Sequence, residues 1–284
     1  MKIGTRIPGS AWKMPFTDFC TWLKQNGFEG VDLGEPNDEQ ISTAHAAGLE
    51  IGTVDFRGMN GLSGDDNKAR EAVVKCIAAI DYAADKGLTR LFTVLMPEEA
   101  GKGRGVNLER ILQTLGPVLE HADKRGARIA MEGWPAGYPS PTLGATPETL
   151  RILFNAFPTK ALGINYDPSH LIRIGVDHIR FLHEFGDRVI HCHGKDTVFD
   201  KEALYEFGTL GRTYGQCKGY GEDWWRYCIP GEGEADWGKI CSILNAKGFD
   251  GYISVELEDF RYSGSWDAES LGLQRAQQYL NRFA

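Results

Sequence analysis

Residues Asn67–Leu95 read NKAREAVVKCIAAIDYAADKGLTRLFTVL. Ala72, Cys76, Ile77, Ile80 and Ala83 recur at helical spacing, which predicts a helix over Asn67–Lys86. Lys86-Gly87 closes it, because Gly accepts the left-handed stop and a basic residue complements the helix dipole. The β-rich run Arg90–Leu95 follows almost at once and predicts a strand. The same ending recurs at Asn26-Gly27, Arg125-Gly126 and Lys247-Gly248, each a few residues ahead of the next strand-like run. Helix starts are marked too: Thr146-Pro147-Glu148 offers a cap and an N-terminal proline, and Asp236 stands ahead of Trp237–Leu244.

Working outward, strands are predicted at Lys2–Ile7, Gly30–Gly34, Glu50–Phe56, Arg90–Leu95, Arg128–Trp134, Ala161–Asp167, Val189–His193 and Gly251–Glu258. Helical segments lie between them, Leu108–Arg125 among them. Eight strand–helix units in 284 residues average about 35 residues each, a size that suits βα repeats. The count predicts an α/β fold, a single (β/α)8 barrel domain spanning residues 1–284. A doubly wound sheet is the rival. Its nucleotide fingerprint belongs after the first strand, where this chain has Gly4-Thr5-Arg6-Ile7-Pro8-Gly9-Ser10 and no G-x-G-x-x-G. One segment breaks the rhythm: Asp196–Ala235, after strand seven, is a long stretch rich in Gly, Tyr and Trp. On a barrel it falls on the C-terminal face of the strands, where active sites are built.

With 42% hydrophobic and 25% charged residues, the chain is composed like a globular protein and unlike a disordered or fibrous one. Its formal charge of −8, without a Lys/Arg cluster, argues against nucleic-acid or anionic-membrane partners. No apolar run approaches the roughly 20 residues of a membrane span. The N-terminus enters strand-like sequence without a signal-peptide core, so a cytoplasmic location is expected. The six cysteines are scattered with no C-x-x-C, so reduced thiols are expected; Cys217 and Cys228 are near enough in sequence to leave a bridge open.

Strand parity carries the chemistry. In Arg128–Trp134, Ile129 and Met131 alternate with Ala130 and Glu132. In Ala161–Asp167, Leu162, Ile164 and Tyr166 oppose Gly163, Asn165 and Asp167. His191 and His193 oppose Ile190 and Cys192, and Ser254, Glu256 and Glu258 oppose Ile253, Val255 and Leu257. The more apolar set should face the helices, which puts Glu132, Asp167, His193 and Glu256 inside the barrel near strand C-termini. A lone Glu or His at a strand end reads as a solvated or capping residue, and Glu258 fits that description. Four strands sharing one parity are a different case. Three carboxylates and an imidazole in an interior repel one another without a cation, and a mixed oxygen/nitrogen shell suits Mn²⁺, Mg²⁺, Co²⁺ or Zn²⁺.

These stretches, Met131-Glu132-Gly133-Trp134, Asn165-Tyr166-Asp167-Pro168-Ser169-His170, His191-Cys192-His193-Gly194-Lys195-Asp196, Pro230-Gly231-Glu232-Gly233 with Asp236-Trp237, and Ser254-Val255-Glu256, resemble the sugar phosphate isomerase/epimerase family. This is the xylose isomerase-like TIM barrel superfamily, with ketose 3-epimerases, inosose dehydratases and endonuclease IV among its members. The resemblance implies one divalent ion, Mn²⁺ first, on Glu132, Asp167, His193 and Glu256. It implies a small sugar substrate whose α-proton is exchanged by Glu132 and Glu256, with His170 beside substrate or metal. Family barrels often form dimers or tetramers, and no sequence feature fixes a homo-oligomer here.

Other residues carry weaker signals. Lys195 and Asp196 suit either a substrate oxygen or a local ion pair. Trp224-Trp225-Arg226-Tyr227 combines flat faces with a donor fork that suits a sugar ring, with loop packing the alternative. Arg226 is the preferred substrate contact, since several relatives place a donor after strand seven. Trp12 and Trp134 are candidate pocket walls. Gly101-Lys102-Gly103-Arg104-Gly105 matches no phosphate-binding pattern and reads as a flexible loop.

The implied chemistry is epimerisation or isomerisation of a keto-sugar or keto-glycoside through an enediolate. The alternative is β-elimination from a 3-keto-glycoside by a lyase, hydratase or deglycosidase. Phosphodiester hydrolysis as in endonuclease IV would need more strand-end histidines than seven His, four of them in helical segments, provide. A non-catalytic sugar-binding barrel is opposed by the intact ligand set. The expanded segment after strand seven departs from the ketose 3-epimerases and argues against a free ketohexose.

Overall fold

A computed structural model describes residues 1–35, 37–137, 140–217 and 219–284. Eight parallel strands close into a barrel: β1 (Lys2–Arg6), β2 (Gly30–Leu33), β3 (Glu50–Asp55), β4 (Arg90–Val94), β5 (Arg128–Glu132), β6 (Leu162–Tyr166), β7 (Val189–Gly194) and, last in the chain, Tyr252–Val255, which pairs with both β1 and β7. Helices α1 (Phe16–Gln25), α2 (Asp38–Ala46) and α3 (Asp66–Asp85) follow β1, β2 and β3. After β4 come α4 (Arg104–Thr114) and α5 (Gly116–Lys124); after β5, α6 (Pro147–Ala156); after β6, α7 (Pro168–Arg173) and α8 (His178–Phe185).

The four anticipated helix stops are left-handed glycines, with φ of +80° at Gly27, +74° at Gly87, +66° at Gly126 and +74° at Gly248. Leu108–Arg125 is not one helix, however. It breaks between α4 and α5, because Pro117 has no N–H to continue the first helix and restarts the second from its first turn. The Gly101–Gly105 segment is a short 3-10 turn leading into α4.

The stretch after β7 also has structure of its own. β8 (Asp196–Phe199), α9 (Lys201–Phe207), β9 (Gly221–Glu222) and β10 (Trp225–Cys228) form an excursion whose strands pair antiparallel in the order β8-β10-β9. The chain then returns through α10 (Trp237–Ala246) to the last barrel strand, β11 (Tyr252–Val255), and ends on α11 (Trp266–Leu280). A single buried carboxylate ties the excursion's two ends. Asp196 accepts from Thr197 N at 2.8 Å, Ala235 N at 2.9 Å, Gly231 N at 3.3 Å and Trp237 Nε1 at 3.4 Å.

The core lies between barrel and helices. Val31, Leu91, Ile129, Met131, Leu162, Ile164, Cys192, Ile253 and Val255 pack there against residues such as Phe19, Ile80, Leu119, Leu153, Trp237 and Leu273. This leaves the alternate strand positions for the barrel interior, as the parity argument requires. All six cysteines are free thiols. No helix among the described residues is long and apolar enough to cross a membrane.

Helix caps give a stability test. Asp177 caps α8 by accepting from Arg180 N at 2.9 Å and Ile179 N at 3.0 Å, and the Arg180 N–H foremost holds its carboxyl below the ordinary value. The contribution is therefore present above the unfolded carboxyl value near pH 4 and lost as pH falls through the folded one. Asp177→Ala is expected to cost about 1 kcal/mol at pH 7 and less at pH 3, read by urea denaturation. Equal losses at the two pH values would contradict this account.

Candidate metal centre and active site

Four strand ends converge at the C-terminal mouth of the barrel. Glu132 closes β5, Asp167 follows β6, His193 sits near the end of β7, and Glu256 follows β11 with its N–H on Gly194 O. One ligand-type atom from each of these four residues lies within 4.8 Å of all the others. Local structure aims them. Asp167 caps α7, and its Oδ1 accepts from Ser169 N at 2.9 Å and Ser169 Oγ at 2.6 Å, which turns Oδ2 to the site. Glu132 Oε1 accepts from Asn165 Nδ2 at 2.8 Å and lies 2.7 Å from His193 Nδ1. Glu256 Oε2 lies 3.3 Å from the same ring nitrogen.

The electrostatics show what this cluster asks for. Burial alone would raise the Glu132 carboxyl, but His193 and His170 hold it far below the usual range. Burial likewise opposes ionisation of Glu256, yet Lys195, His193 and Arg6 keep it well below. Burial disfavours the His193 cation, and Glu256 with Glu132 nevertheless pushes its pKa up to about 10. Glu132 and Glu256 are thus held ionised against the cost of burial by the positive groups beside them. Asp167 Oδ2 is fully buried and accepts no hydrogen bond from the described residues, although the Lys195 ammonium lies 3.2 Å away. Carboxylate and imidazole donors at this spacing, one of them unused, fit a divalent cation.

A second buried pair lies deeper in the barrel. His191 Nε2 is 2.9 Å from Asp32 Oδ2, and Asp32 Oδ1 accepts from Thr53 N at 2.9 Å. Gly52 makes room for it, because a Cβ there would overlap Asp32 Oδ1 and crowd the His191 ring. Asp32 Oδ2 also lies 3.9 Å from His193 Nε2, on the ring edge opposite the four-residue cluster.

His170 and Lys195 join the cluster. His170 Nε2 lies 3.4 Å from Asp167 Oδ2 and 3.5 Å from Glu132 Oε2. Lys195 is 1% exposed, with Nζ 2.5 Å from Glu256 Oε2 and 2.9 Å from Glu258 Oε2. Asp196, by contrast, is occupied in tying the excursion. Arg226 is not brought to the four residues: alternation along β10 sends Tyr227 toward His170, while Arg226 lies 3.7 Å from Asp259 Oδ1 and over the Phe260 ring. It lines a separate cavity of about 420 Å³ with Val198, Glu222 and Trp225. Trp12 is 59% exposed at the barrel rim, where a Cβ on Gly34 would lie 4.0 Å from its ring and from Asp55. Trp134, 37% exposed, follows β5.

Several site neighbours escaped the sequence reading. Arg6 lies 3.4 Å from Glu256 Oε1 and donates to Asp55 Oδ1 at 3.0 Å. Arg6 and Asp32 do carry a signal, each a charged residue between apolar or small neighbours in a strand. Glu258, assigned to solvent, instead shares the Lys195 ammonium. Tyr227 stood out only as part of the Trp224–Tyr227 run, and Arg173 carried no signal.

A closed parallel barrel with acidic and imidazole donors grouped at its strand C-termini defines the class of the protein: an eight-stranded α/β barrel with a candidate metal centre at its mouth. The chain belongs to the xylose isomerase-like TIM barrel family, which matches residues 16–283. It is 32% identical over 138 residues to the uncharacterized protein YfiH of Bacillus subtilis, covering 48% of this chain and 42% of that one. It is 32% identical over 111 residues to an inosose dehydratase of Lactiplantibacillus plantarum, covering 39% and 35%. The alignments thus span less than half the length of these curated relatives. In fold, mannonate dehydratase from Streptococcus suis superposes with a TM-score of 0.73 at 11% identity, over 99% of this chain and 94% of that one. D-Psicose 3-epimerase from Clostridium cellulolyticum H10 superposes at 0.71 and 15% identity, over 100% and 99%.

Proposed function

We propose that the protein is a divalent-metal-dependent enzyme that abstracts a proton α to the carbonyl of a keto-sugar or keto-glycoside, giving epimerisation or isomerisation. The observation that carries this reading is the approach of Glu132, Asp167, His193 and Glu256 from four strand ends to within 4.8 Å. These four would hold the ion, Mn²⁺ first among Mn²⁺, Mg²⁺, Co²⁺ and Zn²⁺. When bound, such an ion supplies Lewis-acid stabilisation of developing negative charge on oxygen. Residues 1–284 act as one barrel domain in this reading.

Glu132 and Glu256 are the acid/base pair. Glu132 comes from β5 and Glu256 follows β11, on either side of β7 in the barrel, and in this reading the substrate carbon lies between the two carboxylates. One carboxylate takes the α-proton and the other returns a proton to the opposite face, which inverts the carbon. Arg6 and Lys195 flank Glu256 and favour its ionised, proton-accepting form before reaction. Trp12 and Trp134 are the proposed pocket walls at the rim. Arg226 serves as a substrate contact only for a substrate long enough to reach the far face of β10.

Elimination is the second reading, favoured by the similarity to an inosose dehydratase. The same α-proton is removed, the electron pair forms a C=C bond, and a β-hydroxyl or β-alkoxyl leaves with a proton from the site. Both readings are tested by incubating keto-sugars and 3-keto-glycosides with the metal-loaded protein in D₂O and following them by NMR. The expected outcome is deuterium α to the carbonyl in recovered sugar, accompanied by an epimer, an isomer or an unsaturated product. No incorporation into substrate or product over many turnovers would sink the enediolate mechanism.

A further inference from the structure

The excursion after β7 borders space that the four strand-end residues do not use. Among the described residues, a cavity of about 820 Å³ has Ala136, Arg173, Ile174, Leu210, Trp224 and Trp225 in its wall. Contacts within the protein hold that wall in shape. Trp224 stacks on Phe199 with the ring planes 4° apart and the centroids 5.8 Å apart. The Arg173 guanidinium lies 4.4 Å from the Trp225 ring centroid and donates to Ala136 O. Leu210 and Ile174, 96% and 39% exposed, are apolar side chains left to solvent at the same wall.

The cavity adjoins the candidate centre. Arg173 Nη1 donates to Tyr227 Oη at 2.6 Å, and Trp225 meets the Tyr227 ring edge to face at 4.9 Å. Tyr227 Oη lies 2.6 Å from His170 Nδ1, and His170 lies 3.4 Å from Asp167 Oδ2. Two side chains, His170 and Tyr227, thus bridge from the cluster to the cavity wall. The two regions differ in chemistry. Carboxylates, imidazoles and an ammonium crowd the cluster, which suits the oxygens of a sugar ring. Indoles, branched aliphatics and one guanidinium plane line the cavity, which suits a flat, apolar group.

We propose that this cavity is a subsite for an aryl group joined to the sugar, so that the substrate is an aryl keto-glycoside rather than a free keto-sugar. This rests on the proposed function, which places the keto-sugar at the four strand ends. The aryl ring lies against Trp224 and Trp225 and covers Leu210 and Ile174, whose burial contributes to affinity. The barrel thereby holds the reacting sugar, and the excursion selects what is attached to it.

The test is calorimetric binding of the methyl and phenyl glycosides of the same 3-keto-hexose to the full chain loaded with Mg²⁺. The phenyl glycoside is expected to bind about 10-fold tighter or more, the scale of a buried aromatic contact. Leu210→Asp sets a charge against the aryl ring and should remove about fivefold or more of that advantage, leaving methyl glycoside affinity unchanged. Trp224→Ala should act in the same direction. Leu210 is exposed, so its variant decides the matter if Trp224→Ala does not fold. Equal affinities in the wild type, no binding of the phenyl glycoside, or an advantage that survives Leu210→Asp would overturn the proposal. Both affinities are read without turnover. Absence of solvent deuterium exchange would therefore sink the proposed reaction and leave the aryl preference standing, whereas exchange with equal affinities would sink the subsite alone.

Discussion

Glu256→Gln is expected to lose the bound divalent ion during purification and to lower turnover about 10³-fold or more, the scale of a removed acid/base group. The substitution takes away a charged member of the proposed ligand set and a carboxylate that sits between Arg6 and Lys195. A neutral amide there cannot offset the buried Lys195 ammonium and the partly buried Arg6 guanidinium, or accept an α-proton. Elemental analysis of protein prepared without chelator should find close to one ion per wild-type chain and far less in the variant. Full activity of the wild type after exhaustive chelation would defeat the metal-centred reading.

Lys195→Met should move stability and metal binding in opposite directions. Lys195 is buried, with Asp167, Glu256 and Glu258 around its ammonium, and these carboxylates raise its pKa far above the usual lysine value against the cost of burial. Removing one partner of a buried ionic group leaves uncompensated charge, at a cost of about 3–5 kcal/mol. The metal-free variant should therefore unfold at markedly lower temperature or urea concentration than metal-free wild type. The same excess negative charge should attract the divalent ion more strongly, so added metal should restore more stability to the variant than to wild type. A ligand at a hundred times its Kd restores about 2.7 kcal/mol. Denaturation with and without Mn²⁺ checks both halves. An unchanged metal-free midpoint, or weaker metal binding, would show that Lys195 does not balance the cluster.

The barrel was legible because its signals are local. A helix stop such as Lys86-Gly87 depends on backbone conformation at one residue, and strand parity follows from a period of two. The same parity brought Glu132, Asp167, His193 and Glu256 to one face without any knowledge of the strands' neighbours. What stayed hidden depends on distant partners. Leu108–Arg125 has helical periodicity throughout, and only the missing N–H of Pro117 splits it. Tyr227 reaches His170 because β10 pairs with β8 in a particular register, which neither residue's neighbourhood in sequence encodes. That register also decides that Arg226, one residue earlier, faces away. Glu258 looks like a solvated strand end until Lys195, far away in the chain, arrives beside it.

Asp196 gives the excursion the character of a cassette. Its two oxygens take donors from Thr197 at the entrance and from Gly231, Ala235 and Trp237 at the exit, so the chain leaves and rejoins the barrel at one knot. Whatever lies between, the barrel sees the same two ends at the same separation. A different segment grafted between residues 197 and 231 would keep Glu132, Asp167, His193 and Glu256 where they are. It would exchange Tyr227, Arg226 and the paired tryptophans in one step. What the excursion contributes to the barrel mouth is therefore open to replacement as a unit, while the four strand-end residues stay fixed by the barrel.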